Sequence, residues 1–252
     1  AGRRSADLTD AKFMRLPGTA GEAQALGVLM PGATMLTGAR ATEAALKHVN
    51  GPRVLHVATH GFFLADQSRN AGEDARGIKL KKENAAVPTG ENLLLRSGLA
   101  LAGANARRSD GGEDGILTAL EAAGLDLWGT KLVVLSACET GLGDVKNGDG
   151  VYGLRRALVL AGSESQVMSL WQVSDEATRD LMVAYYKRLQ AGEGRTEALR
   201  QVQLEMIKGR SAAARDHTRG LSGASMGAAA TDRSHPFYWA SFIQSGEWQP
   251  MK

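Results

Sequence analysis

A single cysteine, Cys138, stands among 252 residues. No internal disulfide and no multi-thiolate metal site can be built from it. A lone free thiol suits a reducing compartment, so the expected location is cytoplasmic. No apolar run is long enough to cross a bilayer, and no signal peptide opens the chain. Prolines number only 6 against 31 glycines, in a chain that is 43% hydrophobic and 23% charged. That balance belongs to a turn-rich globular chain and excludes a disordered one. Charge of one sign is scarce too: 30 basic residues face 27 acidic ones. The densest basic cluster is Lys79, Lys81 and Lys82, too thin for a nucleic-acid footprint, so no nucleic-acid or membrane partner is expected. HExxH, paired-cysteine and calcium-loop patterns are missing, and neither metal nor cofactor is expected. There is no internal repeat. The chain starts at Ala1 without a methionine, which suggests one domain, residues 1–252, taken from a larger protein.

What is present is an alternation of apolar strands and amphipathic helices. The first twenty-five residues look weakly structured, with a turn at Leu16-Pro17-Gly18 and a helix over Glu22–Met30. A short strand is expected at Thr34–Leu36 and a helix at Ala41–Val49. Arg53–Thr59 reads as a compact strand stopped by His60-Gly61. Residues 66–90 and 209–234 are polar and without periodicity, and are expected as surface loops that either gate a cleft or simply decorate it. Asn92–Ala102 is strand or helix, and Gly103–Gly115 a polar loop. Thr118–Ala123 is expected as a helix, Lys131–Ala137 as the clearest buried strand, and Tyr152–Ala161 as a helix. Gln166–Leu170 follows as a strand, and then a helix from the N-cap Ser174 to about Gln190. A second helix is expected over Arg195–Ile207 and a last strand over Trp239–Ile243. The economical architecture is α/β, a mostly parallel or mixed sheet covered on both faces.

Two residues carry chemistry. Cys138 follows the buried strand 131–137, and His60 follows the strand 53–59. Ligands of such sheets bind beyond the carboxyl ends of strands, so two neighbouring strand ends would bring together residues 78 positions apart. A histidine there takes the thiol proton and later returns it to a leaving amine. Gly61, lacking a Cβ, lets backbone approach closely, so its N–H and that of Cys138 are candidate oxyanion donors. The bland alternatives are a buried structural cysteine and a histidine bonded at a turn. His56 lies within the strand, His48 and His217 read as surface residues, and His235 precedes Pro236. The glycine-rich segment 141–150 matches neither a Walker A loop nor a dinucleotide fingerprint. It reads as a substrate-binding or cleavable loop, or as plain surface.

The segments Leu55-His56-Val57-Ala58-Thr59-His60-Gly61 and Leu132-Val133-Val134-Leu135-Ser136-Ala137-Cys138-Glu139-Thr140-Gly141 resemble the two signatures of the CHAT family. Gly115–Thr118, Leu170–Asp175 and His235–Phe242 resemble further family blocks. The resemblance implies a three-layer α/β/α caspase-hemoglobinase sandwich in which His60 and Cys138 form the dyad of a separase-related cysteine peptidase. It also implies a protein or peptide substrate, a regulatory repeat or sensor domain in the same polypeptide, and a role in bacterial defence or signalling. By similarity to separase, Asp175 would receive a basic P1 side chain, a role that carboxylate–guanidinium pairing makes chemically reasonable. The other reading of Asp175 is a helix-start residue favourable to the dipole. Gln172 is a candidate for the same pocket, and Trp171 is either its wall or core packing. The rival functions are a catalytically silent peptide-binding module and another thiol enzyme such as an acyl transferase.

Overall fold

A computed structural model describes Leu8 and residues 11–64, 92–136, 138–140, 149–171, 174–209 and 233–251; for Leu93, 138–140 and 149–152 it describes the backbone. The expected loops 66–90 and 209–234 fall almost wholly outside the described residues, as does 141–148.

The fold is mixed α/β, with helices packed against two four-stranded sheets. The first sheet joins β1 (Val54–Val57), β5 (Leu132–Leu135), β7 (Ser165–Ser169) and β8 (Phe242–Gly246) in the order β1-β5-β7-β8. Its first two pairings are parallel and the β7–β8 pairing is antiparallel. β5 is buried along its whole length, which is why it reads as an unbroken Leu-Val-Val-Leu run. Its alternate residues serve two different layers. Leu132 and Val134 pack with α1 (Pro17–Leu29), α5 (Asp175–Gln190) and α6 (Arg195–Ile207) through Leu26, Leu181, Tyr185 and Val202. Val133 and Leu135 pack on the other side with α3 (Ala119–Ala122) and α4 (Asp149–Leu160) through Ala122, Leu154 and Leu158. Two helical layers therefore enclose this sheet.

The second sheet has the order β4-β3-β2-β6: β4 (Ile116–Thr118), β3 (Ser97–Ala100), β2 (His60–Phe63) and β6 (Cys138–Thr140). Leu99 and Leu117 turn toward the α3/α4 layer. Phe62, Ala100 and Ile116 instead pack under Leu8, Ala11 and Phe13 of the N-terminal segment. At the sheet's margin, Thr118 and Glu121 close a capping box that starts α3.

Several expectations change. His60-Gly61 does not stop a strand; it opens β2, because the chain leaves one sheet at Val57 and, after two intervening residues, joins another at His60. In place of one mostly parallel sheet there are two mixed ones, since β3, β4 and β8 pair antiparallel. Leu16-Pro17-Gly18 is the start of α1, with Pro17 at a position where its missing N–H costs nothing. Residues 34–36 are not in a strand, and the helix expected over 41–49 is only α2 (Glu43–Lys47), capped by Thr42. Near the C-terminus, Pro236–Trp239 forms the short helix α7 and the strand begins only at Phe242. Proline at the first helical position and a His235 side chain accepting the Phe237 N–H favour that turn over an extended start. No described helix is long and apolar enough to cross a membrane.

Candidate active site

Two chain segments cross from the first sheet to the second side by side. Val57 is the register partner of Leu135 at the end of the β1–β5 ladder, and His60 is the partner of Cys138 at the start of the parallel β2–β6 ladder. Both pairings keep the same 78-residue offset, so the register survives a gap of two residues on each strand. Neighbouring strands lie about 4.8 Å apart and register partners fall on one face of a pleated sheet. The topology thus brings His60 and Cys138 to directly opposed positions.

The His60 ring is half-buried and tightly specified. Its Nε2 lies 2.5 Å from the Met14 carbonyl oxygen. A carbonyl only accepts, so Nε2 carries the proton, and in the neutral ring Nδ1 is left with its lone pair. Nδ1 is buried and has no hydrogen-bond partner among the described residues. The Phe13 ring, 5.8 Å away and tilted by 40°, packs against the imidazole. Phe13 is itself pinned from both sides, its N–H donating to Asn105 Oδ1 and its carbonyl accepting from Asn105 Nδ2. An oriented imidazole with one nitrogen spoken for and the other open is arranged as a general base.

A buried polar cluster lies on the α1/α5 side of the first sheet. Glu22 of α1 is 3% exposed. Its Oε2 accepts from the Ser136 hydroxyl at 3.1 Å, and its Oε1 lies 3.2 Å from His56 Nε2. That second contact is not directed as a hydrogen bond, since both atoms are otherwise unpartnered. His56 Nδ1 is 2.9 Å from the Tyr186 hydroxyl. Burial first, then the neighbouring Tyr185 and Glu22, push the Tyr186 phenol well above its ordinary range, so it stays neutral. An isolated carboxylate in such a place costs several kcal/mol, which only specific partners offset.

The specificity candidates fall on α5 and the segment before it. Asp175 is the first residue of α5, and its Oδ2 accepts the Gly18 N–H at 2.8 Å. A side chain at position 18 would place its Cβ only 2.0 Å from Asp175 Cβ, so glycine is required for this approach. The carboxylate therefore sits at the positive ends of two helices, its own and α1. Ser174 occupies the N-cap position but makes no side-chain cap bond. Trp171 packs at the edge of the main core, and its indole N–H donates to the Phe237 carbonyl at 3.1 Å. Gln172 lies outside the described residues. Gly61 is buried in β2 between Leu99 of β3 and Glu139 of β6, with its backbone engaged.

On the α2/α3 side of the molecule, Glu43, Glu113 and Glu121 bring carboxylate oxygens within 4.8 Å of one another, a spacing that suits a cation. That place is held by the Lys47 ammonium, at 2.7, 2.9 and 3.0 Å from the three. His48 Nδ1 turns back to the Ala44 carbonyl, and His235 accepts the Phe237 N–H.

Sequence reasoning missed Met14, Gly18, Glu22, Ser136 and Tyr186. Glu22 alone left a signal: it is an acidic residue four positions before Leu26, on the face of α1 that enters the core. A family model described as CHAT domain matches residues 2–247 of the chain. Compared with curated proteins, the chain matches none.

Proposed function

The chain belongs to the CHAT domain family, and from that footing we propose that it is a cysteine endopeptidase of the three-layer caspase-like kind, cutting a partner protein through Cys138 and His60. The observation that carries the reading is the direct register of His60 with Cys138, joined to a buried His60 Nδ1 without a hydrogen-bond partner among the described residues. Nδ1 takes the proton of the Cys138 thiol as sulfur attacks the peptide carbonyl. The Met14 carbonyl holds Nε2–H and supports the imidazolium that forms. The same proton then passes to the leaving amine, and a thioester remains on Cys138. Water attacks the thioester, His60 takes a proton from it, and thiol and carboxylic acid are regenerated. Backbone N–H groups at Cys138 and Gly61 are the donors proposed for the oxyanion.

Asp175 is proposed as the acceptor of a basic P1 side chain, with Gln172 and Trp171 beside it. A guanidinium arriving there binds Oδ1 and competes with the Gly18 N–H for Oδ2. Regulated rather than digestive proteolysis fits a carboxylate already engaged within the chain. The same engagement favours the second reading, a peptide-binding module that does not cut.

Incubating the protein with a diverse peptide library, beside Cys138→Ala, tests both. Cleavage after Arg or Lys, lost at least about a thousandfold in the variant, is the expected result. Cleavage after other residues keeps the dyad and removes the role of Asp175. No cleavage, together with failure of a peptide-like electrophile to label Cys138, leaves the binding module.

A further inference from the structure

We infer that Glu22 is a positioning residue for the Cys138–His60 pair, an inference that rests on the peptidase reading above. The two links between the sheets, residues 58–59 and 136–137, lie between the described ladders. Between them the Ser136 N–H donates to the Val57 carbonyl at 3.0 Å. A slip of one residue in such a link would turn Cys138 to the opposite face of β6 and away from His60. Each link is held from outside. On the histidine side the Thr59 hydroxyl donates to the Ala100 carbonyl of β3. On the cysteine side the Ser136 hydroxyl, two residues before Cys138, donates to Glu22 at 3.1 Å.

Glu22 also contacts both signature segments. While one oxygen holds Ser136, the other faces His56, four residues before His60, at 3.2 Å. His56 is steadied in turn by Tyr186 from α5. Among the described residues, His56 of β1 stands 3.2 Å from Glu22, and Tyr186 of α5 feels its charge. α1 continues the arrangement: Met14, just ahead of it, fixes the His60 ring, and Glu22 fixes the strand that leads to Cys138. Glu22 touches neither reacting atom. It acts through Ser136 and His56 on where the two strands stand.

Because Cys138 is the only cysteine, iodoacetamide reports on it without any need for a substrate. The native protein should alkylate at neutral pH faster than an ordinary thiol of pKa about 8.5, and His60→Ala should abolish that advantage. Glu22→Ala should slow alkylation at pH 7 about tenfold and raise the midpoint of its pH profile by about one unit, the equivalent shift in thiolate fraction. Glu22→Gln keeps an acceptor for the Ser136 hydroxyl and should stay within about twofold of native. If Glu22→Ala does not fold, Ser136→Ala, which deletes one hydroxyl, carries the test and should slow the reaction in the same direction. A folded Glu22→Ala or Ser136→Ala protein with the native rate and pH profile overturns the inference, even if its melting temperature falls. His60→Ala with the native profile would overturn the dyad reading, and the positioning role with it. A slow His60→Ala beside unaffected Glu22 and Ser136 variants removes the positioning role alone.

Discussion

Among the described residues two carboxylates are almost fully buried, Glu22 at 3% exposure and Glu43 at 1%, and they are compensated in opposite ways. Glu43 faces the Lys47 ammonium four residues along its own helix and also accepts the Gly115 N–H at 2.8 Å. Lys47 gathers Glu113 and Glu121 as well, so α2, the segment before β4, and α3 are drawn to one cation. Among the described residues, Glu22 has no ammonium or guanidinium partner. Its partners are a serine hydroxyl and a histidine, and one of its oxygens lacks a directed hydrogen bond. The first cluster is gathered on one ammonium. The second keeps slack and adjoins the links that carry His60 and Cys138. Burial alone therefore does not mark a functional carboxylate; incomplete satisfaction beside a reactive pair is the more telling sign.

The hardest way to break this contrast is Lys47→Met. It leaves Glu43 buried beside two like charges, and a broken buried pair costs about 3–5 kcal/mol. Denaturant unfolding should show that loss, while alkylation of Cys138 in the folded protein stays native. A slowed alkylation would join the two clusters into one functional unit. Asp175→Asn has a smaller effect and lies wholly on the site's side. Losing a hydrogen bond to a charged group costs about 2 kcal/mol, so cleavage after Arg or Lys should fall roughly thirtyfold. Cleavage after neutral residues should hold in the same library. An equal loss on all substrates would make Asp175 a cap for α1 only.

The smallest effect is a pH dependence of stability. Burial lowers the Lys47 pKa, but the hydrogen bonds from Glu43, Glu113 and Glu121 outweigh it and raise the value overall. The group therefore contributes fully below its unfolded pKa of about 10.4, and that contribution fades as pH rises through the higher folded value. Native protein should thus lose a stabilising increment in alkali that Lys47→Met lacks. Glu43 works in the other direction. Burial raises its pKa despite Lys47, so its ionisation opposes folding as pH climbs above about 4.3. Thermal scans of Lys47→Met across pH 4–7 should show stability recovering toward the acid end; a flat profile would remove the strain assigned to Glu43.

Much of the scaffold was legible because burial leaves a local pattern. The run at 132–135 announced a strand enclosed on both faces, and α6 occupies the Arg195–Ile207 span its periodicity marks. α5 was equally plain, with Leu181, Tyr185 and Leu189 on its buried face. Short elements read less well. Residues 34–36 carry a strand-like composition but pair with nothing in the named ladders, and Pro236–Trp239 hid a helical turn inside an aromatic run. Arg53–Thr59 reads as one strand stopped by His60-Gly61, and the second strand from His60 escapes notice, because the break at Ala58-Thr59 changes the partner strand and not the hydrophobicity.

The sequence by itself determined that two apolar strands lead to a histidine and to the only cysteine, since hydrophobic periodicity is written residue by residue. The family resemblance, on the same segments, was legible there too. Only the tertiary structure decided that the strands change sheets together with an unbroken 78-residue offset. It likewise decided that Met14 claims one nitrogen of His60, that Gly18 meets Asp175, and that Glu22 holds Ser136. Those contacts join groups 46, 157 and 114 residues apart. A hydrogen bond depends on distance and direction in space, and no local pattern of residue types encodes either.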